Sequence, residues 1–158
     1  MVLTHTLDET YAVAADFVKE IKGKKRATAV VVALYGELGS GKTSFVQGIA
    51  KALGITETII SPTFILLKKY KRPDLKEQGG KRSGFGELIH IDLYRIEDEK
   101  ELLHFRFDEL MKDPKNIICI EWAEKAETLL PKDTIRIYFK HVSEDEREIM
   151  ISEKRKAT

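Results

Sequence analysis

This sequence has little of what marks a secreted, membrane-spanning or polyelectrolyte protein. It carries one cysteine, Cys119, so an intramolecular disulfide is excluded, which suits a reducing compartment. No run approaches the roughly 18 consecutive apolar residues that a membrane span needs. The opening MVLTHTLDET has neither a basic n-region nor an apolar h-region, so no secretion signal is expected. Neither sign of charge dominates, with 27 Lys+Arg against 26 Asp+Glu. That balance argues against a protein that coats nucleic acid or membrane by bulk electrostatics. There is no internal repeat. His5, His90, His104 and His141 show no metal-ligand spacing, so a zinc site is not expected. What is present is 42% hydrophobic and 34% charged residues over 158 positions, the balance of a soluble globule. The expectation is one cytoplasmic domain spanning residues 1–158.

Along the chain, Thr6-Leu7-Asp8-Glu9 reads as a capping box, with Thr6 as N-cap and Glu9 reaching back. Tyr11, Ala14, Ala15, Val18 and Ile21 then recur at helical spacing as far as Gly23. Ala29 to Tyr35 is a continuous β-branched apolar run, as in a strand covered on both faces. Gly36 to Gly41 interrupt it. A helix is predicted from Lys42 to Leu53, with Phe45, Val46, Ile49, Ala50 and Leu53 on one face. Further strands are predicted at Phe64 to Tyr70, Glu87 to Ile91 and Asn116 to Ile120. Helices are expected over Glu97 to Met111 and Glu124 to Leu130. A terminal hairpin pairs Ile135 to Lys140 with Glu148 to Ser152, and the tail from Glu153 should fray. Lys71 to Gly86 is a 16-residue loop with five basic and two acidic residues. Loops that long are functional or disordered.

One motif carries chemistry. Gly36-Glu37-Leu38-Gly39-Ser40-Gly41-Lys42-Thr43 matches G-x-x-x-x-G-K-[ST], with a buried strand before it and an amphipathic helix after it. Glycines let the backbone wrap a phosphate closely and aim successive N–H groups inward. The helix N-terminus, which includes Ser44, adds a favourable field for anions. Lys42 is placed to reach β- and γ-phosphates, and the Thr43 hydroxyl to ligate Mg²⁺. Such a site needs a carboxylate at a neighbouring strand end. Glu121 and Asp92 both qualify, since each ends an apolar strand on the side where open α/β sheets place ligands. Ser61 and Thr63 flank Pro62 in a segment where switch-like loops with metal-ligating hydroxyls occur, although Ser-Pro-Thr is also an ordinary turn. Trp122 either stacks on a base or partner, or packs. Cys119, mid-strand, reads as a small buried hydrophobe.

The chain lacks the D-x-x-G and N-K-x-D motifs of a GTPase. A small-molecule kinase would use an Arg-bearing lid, for which Arg72 and Arg82 are the candidates, but no acceptor pocket accompanies them. A nucleotide-binding module without turnover is a second alternative.

GELGSGKTSF, SPTF, HIDLYR, IEWAE, LLP and a late EREI, in this order and spacing, resemble the TsaE (YjeE) family of bacterial ATPases of tRNA threonylcarbamoyladenosine synthesis. The resemblance covers nearly the whole chain. It implies an α/β fold with a P-loop NTPase-like sheet, largely parallel at its core, with antiparallel hairpins and flanking helices. It also implies slow Mg²⁺-dependent hydrolysis of ATP to ADP. The implied partners are TsaB and TsaD, which modify the adenosine beside the tRNA anticodon. By position, Lys42 and Thr43 would be the phosphate and Mg²⁺ residues, and Glu121 the acid on Mg²⁺. Thr63 and Asp92 would lie near the γ-phosphate and the attacking water. Thr10 and Arg147 resemble family positions near the nucleotide, and Trp122 one at the active face. Two departures stand out. The family usually has a glycine where Leu103 to Phe107 stand here, and the 71–86 segment is longer and more basic than usual. A tRNA contact through that segment is one expectation, and a solvated hairpin tip the other.

Overall fold

The computed structural model describes residues 1–73 and 84–152, with only the backbone of 103 and 104. Seven strands form one sheet: β1 (Val2–Thr4), β2 (Val30–Tyr35), β3 (Leu67–Lys71), β4 (Glu87–Asp92), β5 (Asn116–Glu121), β6 (Ile135–His141) and β7 (Arg147–Ser152). Their order is β1-β7-β6-β2-β5-β4-β3. The centre is parallel, β6-β2-β5-β4, and both margins are antiparallel. The sheet is thus largely parallel at its core with antiparallel hairpins, the α/β class the sequence predicts.

Helix α1 (Leu7–Lys22) is capped by the Thr6 hydroxyl, which accepts the Glu9 N–H. The capping box differs in its second half. Glu9 reaches back one residue further than predicted and takes the N–H of His5 at 2.6 Å. Helix α2 (Lys42–Ala52) begins after Gly41 in the left-handed region and packs on α1. The closest approach is at Gly48, where a Cβ would lie 2.7 Å from that of Ala14. Phe17, Phe45, Val46 and Ile49 from these helices bury Val30, Val32 and Leu34 of β2.

The other face carries shorter cover. The predicted helix over 97–111 is instead a 3-10 stretch, Glu99–Phe105, and a six-residue helix α3, Phe107–Lys112. Arg106 at φ 48° breaks them apart. The predicted helix over 124–130 is a 3-10 segment, Ala123–Leu129, interrupted at Ala126. The predicted strand over 64–70 starts only at Leu67, because residues 62–66 turn. The N–H groups of Ile65 and Leu66 donate to the Pro62 carbonyl, and Leu66 has φ 63°. The short β1, absent from the sequence reading, pairs with β7. Most of the basic 71–86 segment lies outside the described residues. Its base does not: Arg72 N–H bonds the Gly86 carbonyl at 3.0 Å, and Phe85 is buried in the α1–α2 core. No described helix is long and apolar enough to cross a membrane.

Candidate nucleotide and metal site

The P-loop leaves β2 at Gly36, whose φ of 145° and tight surroundings exclude any side chain. A Cβ there would meet the Phe139 carbonyl oxygen at 2.5 Å and Ser40 Oγ at 2.7 Å. Gly39 (φ 74°) and Gly41 (φ 105°) are also left-handed, with no or only distant neighbours to a Cβ. The loop therefore holds a wrapped conformation with free space along two of its glycines. Ser40 Oγ is buried and has no hydrogen-bond partner among the described residues. These features fit an anion cradle at the start of a helix.

Lys42 folds back into this loop. Its Nζ donates to the carbonyls of Gly36 (2.6 Å) and Glu37 (2.8 Å) and lies 4.2 Å from the centroid of the Trp122 ring. Burial holds its ammonium below the usual lysine range, against the pull of Glu121, Glu124 and Asp92. Trp122 reaches this position through a left-handed backbone, φ 57°, just after β5.

The structure separates the two candidate acids. Asp92 and Glu121 are register partners at the ends of β4 and β5, and both are buried. Glu121 Oε1 accepts the Thr43 hydroxyl at 2.8 Å. This hydroxyl and carboxylate are hard oxygen donors of the kind Mg²⁺ takes from protein, the rest coming from water and phosphate. No described group of three or more His, Cys, Asp or Glu offers a metal cage. Asp92 faces the Ser61–Pro62–Thr63 loop instead. Its Oδ2 accepts from Ser61 Oγ, and from Thr63 Oγ1 at 3.0 Å, while Oδ1 accepts the Tyr94 N–H at 2.9 Å. So Ser61 and Thr63, for which the sequence leaves open a switch-like loop or an ordinary turn, are anchored on Asp92 in this conformation.

Lys42, Thr43, Thr63, Asp92, Glu121 and Trp122 line one cleft, together with Leu38, Ser40 and Ser44. A second pocket lies around the other side of the P-loop, sharing Gly39, Gly41 and Ser44 and walled by Thr4, Thr10 and Arg147. Thr10 Oγ1 and Thr4 Oγ1 are 3.1 Å apart. Arg147 donates through Nη1 to the carbonyls of Ser143, Glu144 and Glu146, bracing the hairpin turn. Every site residue named from the sequence thus lies on the P-loop or on one of its two adjoining pockets.

Three contacts escaped the sequence reading. His90 Nε2 lies 2.8 Å from Glu121 Oε1, and both residues are buried. The signal was available in His90-Ile91-Asp92, since alternation puts His90 and Asp92 on one face. Gln47 of α2 accepts from Tyr11 OH at 3.1 Å and donates to the Ile59 carbonyl at 3.0 Å, tying both to the loop that precedes Ser61. Cys119 is buried as expected, and burial pushes its thiol well up.

Residues 4–149 match the family described as threonylcarbamoyl adenosine biosynthesis protein TsaE. The TsaE protein of Bacillus subtilis (strain 168) is 40% identical over 119 residues, which are 75% of this chain and 66% of that relative. The chain therefore spans just under two thirds of that relative's length. The Treponema pallidum protein of the same name is 33% identical over 132 residues, 84% of this chain and 88% of the relative. A crystal structure of Bacillus subtilis YdiB superposes with a TM-score of 0.69 at 28% identity, covering 96% of this chain and 83% of that one.

Proposed function

This chain belongs to the TsaE family, and from that premise we propose that it hydrolyses ATP with Mg²⁺ in support of tRNA threonylcarbamoyladenosine formation. The observation that carries the reading is the 2.8 Å contact of the Thr43 hydroxyl with Glu121, beside a glycine loop that already holds Lys42.

In this mechanism the P-loop N–H groups and Lys42 bind the phosphates, Lys42 leaving the Gly36 and Glu37 carbonyls for phosphate oxygens. Thr43 and Glu121 would hold Mg²⁺, which would supply neutralisation of the phosphate charge. Asp92, kept in place by Ser61, Thr63 and the Tyr94 N–H, orients the attacking water. Thr4, Thr10 and Arg147 wall the pocket assigned to the base and sugar. Arg95 stacks on Phe64, 4.2 Å from its ring centroid, and Arg147 is tied to its turn. With neither guanidinium lining the Lys42–Glu121 cleft, slow turnover alone and activation in trans are expected.

The proposed partners are TsaB and TsaD, with tRNA engaged either indirectly or through the basic 71–86 segment. The deciding experiment is an ATPase assay with and without TsaB, TsaD and tRNA, where stimulation by that complex is expected. Consumption of ATP in step with a small acceptor would indicate a kinase instead. Binding without turnover under every condition would indicate a regulatory module. Lys42→Ala should weaken nucleotide binding by roughly 100-fold, the loss of charge-assisted contacts worth about 2–3 kcal/mol. Neutralising Lys71, Arg72, Lys81 and Arg82 together should reduce tRNA stimulation and its salt dependence; unchanged stimulation would remove tRNA from this segment.

A further inference from the structure

We propose that His90 is a positioning residue for Glu121, holding that carboxylate by one oxygen so that the other stays available to the cleft. The proposal rests on the ATP–Mg²⁺ reading above.

The parallel register sets the geometry. His90 sits opposite Cys119, and Asp92 opposite Glu121. Alternation turns His90, Asp92, Cys119 and Glu121 to the α2 side of the sheet. The small Cys119 side chain leaves the imidazole to meet the acid one step further along, at 2.8 Å. An ionised carboxylate only accepts hydrogen bonds, so Nε2–H of His90 is the donor. The Thr43 hydroxyl donates to the same Oε1. Oε2 takes no hydrogen bond from the described residues, and Glu121 lines the cleft. One oxygen is thus fixed from two directions and the other is left over.

Packing alone does not account for a histidine here. His90 is 0% exposed, and its Nδ1 is buried with no partner among the described residues. An apolar side chain of similar volume would fill this space without stranding that nitrogen. Among the described residues, the one polar bond the ring makes is the one to Glu121. Outer partners of this kind orient ligating groups, and their loss costs about 10–100-fold in metal affinity.

Trp122, the only tryptophan, sits over Lys42 and supplies the readout. Its fluorescence is followed as ADP is titrated in EDTA, and as Mg²⁺ is titrated at fixed ADP. The proteins compared are the wild type, His90→Gln, His90→Asn and His90→Leu. Glutamine carries its Nε2 the same number of bonds from the backbone as histidine does, whereas the asparagine amide stops at the level of Nδ1. Leu and Asn variants should need roughly 10–100-fold more Mg²⁺ for half-saturation. The Gln variant should stay close to wild type, and ADP affinity in EDTA should be the same in all four. Should His90→Leu fail to fold, the Gln–Asn pair carries the comparison. Wild-type Mg²⁺ dependence in the Asn variant overturns the proposal. So does a common shift of all variants that also lowers metal-free ADP affinity, since that is a structural role only. A wild type whose ADP binding ignores Mg²⁺ overturns the underlying reading before any variant is compared.

Discussion

The two faces of the sheet are covered in different ways. On one, α1 and α2 supply 16 and 11 residues of regular helix, and Phe17, Phe45 and Phe139 interlock with ring centroids 5.5–5.8 Å apart. On the other, two 3-10 segments and the six-residue α3 cover Ile89, Ile91, Ile118 and Ile120. All three non-glycine residues with positive φ among the described ones, Leu66, Arg106 and Trp122, belong to this second cover. Each costs about 1–2 kcal/mol relative to a relaxed backbone. The regular face sets the P-loop helix firmly against the sheet. The irregular one ends at two parts of the cleft, the Ser61–Leu66 turn and Trp122. Phe64 there is 81% exposed and Ile65 61% exposed. Segments with few buried contacts open locally at low free energy, so the difference is one of mobility as well as packing.

That contrast can be broken by mutation. Phe45→Ala, in the helical face, should destabilise by about 3–5 kcal/mol in a urea titration. Leu102→Ala, a buried residue of the thin cover, should cost about 2 kcal/mol, because short pieces collapse into the space more readily. Equal costs would abolish the distinction. Arg106→Gly should stabilise by up to about 1 kcal/mol, a rise of about 2–4 °C in Tm, since glycine occupies the left-handed region without strain.

The smallest effect joins the thin cover to β2 and β6. Glu127 accepts from Tyr35 OH at 2.5 Å and from Arg136 at 2.6 Å. The Tyr35 hydrogen bond, then Arg136, hold its carboxyl below the usual range. A depressed folded pKa gives stability that is present at neutral pH and lost as pH falls through that value. The side chain is 48% exposed, so this amounts to a few tenths of a kcal/mol. Glu127→Gln should flatten stability against pH below neutrality by that amount, measured as denaturation midpoints from pH 7 to pH 3.

The same contrast decides what could be read from the sequence. The P-loop, α1, α2 and the central strands follow period-3.6 or continuous apolar patterns, and they lie where those patterns put them. Glu121 and Asp92 were legible as acids at strand ends, and the family resemblance gave them different expected roles, but their separate hydrogen-bond partners were not legible. Those depend on register between β4 and β5, which a linear pattern does not carry. Residues 97–111 have a helical period, but Arg106 enters the left-handed region, and no residue type there announces it. Phe64 to Leu66 look like the start of a strand by composition. The Pro62 carbonyl captures the N–H groups of Ile65 and Leu66 and turns them instead. β1 is three residues long and is held by a partner at the far end of the chain, so it has no local signature.

That last pairing has a bearing on how the protein is made. The Thr4 hydroxyl donates to the Arg147 carbonyl across 143 residues of sequence. During vectorial synthesis the glycine loop at 36–43 emerges early, and the acid at 121 later. The wall that carries Thr4, Thr10 and Arg147 closes only after the final hairpin has left the ribosome. A nascent chain therefore passes through a long stage with a glycine loop and no completed pocket beside it. The pocket between β1, α1 and the last hairpin is walled on all sides only once Arg147 has joined Thr4 and Thr10.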